Sequence, residues 1–287
     1  MSLPVIAVDV SQCFNAPHAS GIQRVLAGLS GEWPEDLAQA LFVYSYETQF
    51  RAISARDLNR IVEGLFSQQA PPSHWRDMMS DAGTQATIFK GSQQAILDRV
   101  DAWLLPELAP DTRILRNFDF AAAQVPAALI FYDAIPETMP ESFPLNLAYT
   151  EISRYFRRSA LAPITVSISQ HSDDVLRERL RRPTNLISRV AHPGGDHIPV
   201  STSPAPATPV FSIVGTLEPR KRHLQIVESF VQAEPDLPGA RLVLAGRRQS
   251  AAKAISEQVA RAQAAGSAIE WLDSPSDADI RTVYETS

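Results

Sequence analysis

Short apolar runs rich in β-branched residues alternate with longer amphipathic stretches along most of the chain. Val5–Val10 (VIAVDV) is the first run, and a loop with Pro17 and Gly21 leads from it into the apolar-periodic Ile22–Leu29. Runs of this kind read as strands covered on both faces, and 3.6-residue spacing marks helices. Leu41–Tyr46 (LFVYSY) predicts a second strand, and Ala55–Leu65 predicts the helix after it. Further strands are expected at Ala102–Leu105, Ala127–Tyr132, Pro163–Ile168 and Ile187–Val190. Leu147–Ala160 has helical spacing, and Ser172–Leu180 opens with an aspartate pair that suits the positive end of a helix. Residues 67–95 are rich in Gln, Ser and Pro, and predict a surface insertion with at most a short helix. Strands alternating with helices imply an open parallel sheet.

The proline-rich stretch STSPAPATP (201–209) interrupts this pattern. Proline fixes φ and removes backbone donors, so an extended linker is expected there. The alternation then restarts: strands at Val210–Val214, Leu242–Ala245 and Ala268–Leu272, and helices at His223–Gln232, Ala251–Ala264 and Asp277–Glu285. The expected organisation is therefore a first Rossmann-like α/β domain over 1–200, a linker over 201–209 and a second, smaller one over 210–287. Three strands make a small doubly wound domain, so the second unit reads as incomplete.

Composition narrows the function classes. The 287 residues carry a net charge of -6, which argues against a general nucleic-acid binder. No apolar run approaches the ~20 residues of a membrane-spanning helix, and the amino terminus lacks the basic and small-residue features of a signal peptide. The single cysteine, Cys13, cannot form an internal disulfide and fits a reducing compartment, so a cytoplasmic location is expected.

The segment Phe211–Phe230 (FSIVGTLEPRKRHLQIVESF) carries the strongest chemical signal. An apolar strand ends at Gly215, the turn holds Glu218, Pro219, Arg220 and Lys221, and a helix begins near His223. Such a turn aims backbone N–H groups and the positive helix end at an anion docked beyond the strand. Ligands of open α/β sheets bind at these carboxyl ends. A diphosphate clamp and a solvated basic turn are the two readings of these residues.

Gly215-Thr216-Leu217-Glu218-Pro219-Arg220-Lys221 resembles, in register, the opening of the donor domain in family-4 retaining glycosyltransferases, which have the two-Rossmann GT-B fold. Arg241–Gly246 (RLVLAG) is similar to that family's next strand and its glycine. Ile269–Leu272, Ser276–Ile280 and Tyr284 are similar to the strand and helix that follow. In the amino-terminal half, Asp9, Ser11 and Gly21-Ile22-Gln23-Arg24-Val25 resemble the first strand and glycine loop. Tyr132-Asp133-Ala134-Ile135-Pro136 resembles the mid-domain signature, with tyrosine where many relatives have histidine. Val166–Ser169 with Asp173-Asp174-Val175 resembles the segment that closes that domain.

The resemblance implies transfer of a sugar, with retention, from a nucleotide-sugar donor to a glycan or lipid-linked acceptor in surface-polysaccharide synthesis. The donor would lie in the cleft between the domains. Lys221 and Arg220 would stabilise the departing diphosphate, and Asp133 would bind acceptor hydroxyls or cap its loop. Gly21, Arg24, Gly215, Thr216 and Gly246 would border the donor phosphates. Gly21 would otherwise ease a tight strand-to-helix turn. No cofactor and no metal are implied. The family's paired-glutamate segment is absent, so the chain reads as truncated before it. Two other classes stay open: a non-catalytic remnant or assembly partner, and a sugar-nucleotide epimerase of the same architecture.

Other motifs carry less. Asp277-Ala278-Asp279 fits an Asp-x-Asp metal motif, but Pro275 and Ser276 before it mark a helix start. His192 and His197 lie five apart in a glycine turn, a poor metal pair and a better loop. No Gly-x-Ser-x-Gly elbow, P-loop or Gly-x-Gly-x-x-Gly is present. The Arg-rich stretches near 154–158 and 177–182 are either solvated faces or peripheral contacts to anionic lipid head groups.

Overall fold

The computed structural model describes residues 2–15, 20–67, 81–140, 147–195, 206–248 and 253–287. The chain divides into two compact units, Met1–Gly194 and Gly195–Ser287.

The first unit is built on an eight-stranded sheet. In chain order its strands are β1 (Val5–Asp9), β2 (Gln39–Tyr46), β3 (Gln49–Ile53), β4 (Phe89–Gly91), β5 (Ala102–Leu105), β6 (Ala127–Phe131), β7 (Ile164–Ser167) and β8 (Ile187–Val190). Across the sheet the order is β4-β3-β2-β1-β5-β6-β7-β8. The strands from β2 to β8 in that order are mutually parallel, with Ala7 opposite both Leu41 and Trp103. Successive side chains leave opposite faces of a strand. Ala7 accordingly joins a core with Trp103, Leu105, Phe131, Tyr155 and Phe156. Its neighbour Val8 joins another with Leu26, Phe42, Tyr44 and Ile53. Both faces are covered, which is why β1 reads as an unbroken apolar run.

The helices of this unit are α1 (Ser11–Asn15), α2 (Gly21–Gly31), α3 (Ala55–Ser67), α4 (Gln93–Leu97), α5 (Thr112–Ala122), α6 (Ile135–Thr138), α7 (Leu147–Leu161) and α8 (Gln170–Glu178). Ser20, Ser92, Asp111 and Ser169 cap α2, α4, α5 and α8, each accepting a backbone N–H of the first turn.

Several local features differ from the sequence expectation, among them α5, which lies where no helix was expected. The sheet is not wholly parallel, because β3 and β4 add antiparallel strands at its edge. The β2–β3 hairpin turns through Glu47 and Thr48, with Glu47 at φ 53 where Asn or Gly is the usual signal. The stretch 67–95, expected to hold at most a short helix, is helical at 81–85 and also supplies β4 and begins α4, while its residues 68–80 lie outside the described set. The loop expected after β1 also holds a helix, α1.

The second unit has three parallel strands, β9 (Val210–Val214), β10 (Arg241–Ala245) and β11 (Ile269–Leu272), in the order β11-β10-β9. Helices α9 (His223–Ala233), α10 (Lys253–Ala264) and α11 (Asp277–Glu285) accompany them. Leu242, Leu244, Val227, Phe230 and Val259 form the main core. Ser276 and Asp279 close a capping box at the start of α11, and this is the structural role of Asp279 in the Asp-x-Asp motif. Residues 196–205, which include His197 and the first part of the proline-rich stretch, lie outside the described set.

Candidate functional site

Each unit presents polar residues at the carboxyl ends of its parallel strands. In the second unit β9 runs into Gly215, whose φ of +142 is a conformation that L side chains rarely adopt. The chain then passes Thr216, which is half-buried, and enters a 3-10 turn at Pro219–Lys221. Lys221 folds back over the strand end: a Cβ added to Gly215 would lie 2.7 Å from its Nζ. Glu218 organises the two cations. Its carboxylate accepts from Arg220 Nε at 2.9 Å, and its Oε1 lies 2.7 Å from Arg220 Nη2 and 3.2 Å from Lys221 Nζ. The charged groups are half-buried, so the turn is a fixed cluster with one carboxylate against two cations.

The backbone around it is tightly constrained. Arg222 adopts φ 56 between the 3-10 turn and α9. His223 is fully buried, with Nδ1 3.3 Å from the Glu218 carbonyl oxygen and Nε2 without a partner among the described residues. Burial holds its pKa below the ordinary value, so it is neutral there. On the adjoining strand Gly246 abuts Gly215, and the Gly215 N–H donates to the Ala245 carbonyl at 2.8 Å. Trp271 Nε1 donates to the Gly246 carbonyl at 3.0 Å, and Arg248 stacks on the Trp271 ring at 4.5 Å. Gly215, Thr216, Arg220, Lys221 and Gly246 thus gather at one end of one sheet.

In the first unit strand order reverses at β1, with β2 on one side and β5 on the other. That reversal is the topological switch point where open α/β sheets bind ligands. A buried polar network occupies it. Glu107, immediately after β5, is fully buried; its Oε2 accepts the Cys13 N–H at 2.9 Å and its Oε1 accepts Gln23 Nε2 at 3.3 Å. Ser20 Oγ donates to Gln23 Oε1, which ties the cap of α2 into the same chain of bonds. Asp9 at the end of β1 accepts the Ser11 N–H at 3.0 Å. Its Oδ2 and the Trp103 Nε1 are buried and, among the described residues, neither makes a hydrogen bond of normal length, although the indole N–H is near enough to favour the ionised carboxylate.

Burial dominates the chemistry of this network. It pushes Glu107 up to about 8, with the Asp9 charge adding to the effect against the bonds from Cys13 and Gln23. Asp9 rises to about 6, again through burial and against its Ser11 bonds. The Cys13 thiol is pushed up by burial and by Glu107, so it is not a reactive thiolate. None of these roles was expected from the sequence. The available signal was a carboxylate placed directly after the apolar run Ala102–Leu105 and Pro106.

The other expected residues lie around this point. Gly21 is the first residue of α2; a Cβ there would meet nothing within 4 Å, and its φ is not positive. Neither a left-handed backbone nor a close neighbour among the described residues therefore requires glycine at this helix start. Arg24 lies half-buried on the first turn of α2. Asp133, after β6, accepts the Ile135 N–H at 3.1 Å and so closes the turn into α6. Tyr132 is buried and donates to the Pro106 carbonyl at 2.8 Å, so its hydroxyl is committed to the fold. His192 lies 3.1 Å from the Ile168 carbonyl, as a loop residue. Among the described residues no group of three His, Cys, Asp or Glu is placed to hold a metal ion. No helix among them is long and apolar enough to cross a membrane.

No protein-family profile matches the chain, and no curated protein matches it. Solved structures do match in fold. The chain is similar to HepE of Anabaena, solved in complex with UDP and glucose, with a TM-score of 0.59 and 12% identity over 99% of this chain and 72% of that one. It is similar to a glycosyltransferase of Rickettsia africae, with a TM-score of 0.58 and 13% identity over 100% of this chain and 72% of that one. A second HepE structure, in complex with UDP, gives 0.55 at 14% identity over 94% and 69%. The likeness is one of fold: the chain has the GT-B architecture of two Rossmann-like α/β units.

Proposed function

We propose that the chain is a retaining glycosyltransferase that takes a sugar from a nucleotide-sugar donor to a glycan or lipid-linked acceptor of surface polysaccharide. The single observation carrying this reading is the cationic turn at the carboxyl end of β9, where Lys221 lies over Gly215 and Glu218 holds Arg220 beside it. Negative charge builds on the bridging oxygen as the nucleoside diphosphate departs. Fixed cations at that oxygen lower the barrier, and removing one donor of this kind typically costs ~2.7–4 kcal/mol. Because Glu218 prevents the two side chains from relaxing toward solvent, little reorganisation is needed when the charge appears. Thr216 and the backbone at Gly215 and Gly246 border the same position. In the first unit, Gly21 and Arg24 at the start of α2 would border the donor phosphates, and Asp133 after β6 would receive acceptor hydroxyls. The chemistry needs neither cofactor nor metal in this reading.

Calorimetric titration with UDP tests it, since HepE was solved with that nucleotide. Binding that falls at least tenfold in Lys221→Ala supports the assignment; equal binding in the two proteins overturns it. A second reading is favoured by Glu218 itself. A carboxylate that takes up both cations also makes a stable structural turn, as a non-catalytic assembly partner would retain. That reading expects no UDP binding by the wild-type chain.

A further inference from the structure

Helices α5 and α7 of the first unit face each other across a surface groove of about 350 Å3. Arg116 from α5 and Arg154, Arg157 and Arg158 from α7 line it, over Leu115 and Leu161. Positions 154, 157, 158 and 161 share one helix face, as do 112, 115, 116 and 119, so two stripes are opposed. Arg158 pairs with Asp119, and Arg154 Nη1 reaches Thr112 Oγ1 at 3.4 Å. Arg116 and Arg157 make no hydrogen bond or ion pair among the described residues. Four guanidinium groups against one carboxylate therefore converge in a chain whose overall charge is -6.

Like charges on neighbouring helical turns destabilise a helix, so this crowding works against the fold unless an anion neutralises it. The neighbouring Arg-rich stretch has a different explanation. Arg177 pairs with Asp173, and Arg182 is buried on backbone carbonyls, so those cations are structural. Guanidinium forks match phosphate oxygens in pairs, and the groove has the size of a small-ligand site. Leu115 and the half-exposed Leu161 give it an apolar wall. We propose that this groove binds a phosphate ester, its phosphate held between Arg116 and Arg157 and its ester side against Leu115 and Leu161. The groove is built by residues of the first unit alone and does not depend on the function proposed for the turn in the second.

The phosphate can be carried by a soluble molecule or by a lipid head group, and two measurements distinguish them. The first follows the guanidinium Nε–Hε resonances of Arg116 and Arg157 while inorganic pyrophosphate is added, which separates this groove from Lys221. The second is co-sedimentation with phosphatidylcholine vesicles with and without phosphatidic acid. The variant is Arg116→Gln/Arg157→Gln, and Arg113→Gln, outside the groove, is the control. Resonance shifts at Arg116 and Arg157 in the wild type, with a shift at the groove's Arg154 that needs at least tenfold more pyrophosphate in the double variant, support a soluble ester. Phosphatidic-acid-dependent sedimentation that the double variant loses and the control keeps supports a lipid-borne one. The proposal is overturned if pyrophosphate leaves both resonances unmoved and the double variant sediments like the control.

Discussion

A Cβ on Gly246 would stand 1.9 Å from the carbonyl oxygen of Gly215. The ends of β9 and β10 thus touch backbone to backbone, beside the cationic turn. No rotamer change relieves such a clash, because the obstructing atom is main chain. Gly246→Ala is expected to lower stability by on the order of 3 kcal/mol, the upper end of ordinary overpacking. Urea denaturation checks this, and a midpoint equal to wild type would contradict the packing described.

Gly215 offers a second handle on the same turn. Its φ of +142 resists a side chain, and a Cβ there would lie 2.7 Å from the Lys221 Nζ, which would have to move. Gly215→Ala should cost ~1–3 kcal/mol through the backbone conformation alone. It should also displace the lysine and weaken UDP binding at least tenfold. Reduced stability with unchanged UDP affinity would separate the lysine's position from nucleotide binding.

Glu107 makes stability depend on pH in an unusual direction for a carboxylate. Its pKa rises from 4.5 to about 8 on folding, chiefly through burial. Across that interval the folded chain keeps a proton that the unfolded chain has lost, so raising the pH favours unfolding. The contribution is complete below 4.5 and gone above about 8. Asp9, raised from 3.8 to about 6, acts in the same sense. Glu107→Gln cannot ionise, so its melting temperature should fall less steeply than that of the wild type through this range. Parallel melting curves across the same buffers would show that Glu107 does not hold its proton.

Arg182 is a strut rather than a ligand-binding cation. Its Nη1 donates to the Ser159 and Ala160 carbonyls at 3.2 and 3.1 Å, and its Nη2 to the Ile187 carbonyl at 2.6 Å. It thereby closes the carboxyl end of α7 and joins it to β8. Each buried carbonyl left without a partner costs ~1–3 kcal/mol. Arg182→Ala should therefore lose on the order of 3 kcal/mol in chemical denaturation, with anion binding unaffected. A loss confined to anion binding would reverse this assignment.

Legibility in the sequence followed the range of the interactions. The strand–helix alternation could be read because the central parallel strands are apolar runs covered on both faces, as at Ala7 and Val8 of β1. The cationic turn could be read because Gly215, Glu218, Arg220 and Lys221 lie within seven consecutive residues. The strand β3 escaped because Glu47, not Asn or Gly, takes the left-handed turn position, and α1 is a single short helix inside a loop. Glu107 escaped for a different reason: its partners, Cys13 and Gln23, stand 94 and 84 residues away. No local pattern encodes a contact of that span. The role of Arg182 is likewise set by carbonyls on other elements, which an arginine-rich stretch alone does not reveal.

The central place of β1 also dictates an order of events on the ribosome. Its first neighbour, β2, is synthesised soon after it, but its second, at 102–104, comes almost a hundred residues later. Until then the nascent chain carries a strand with one bare edge and an aspartate still in water. Glu107 follows that second neighbour by only a few residues. The two acids can therefore be buried together only once about half of the first unit has been made.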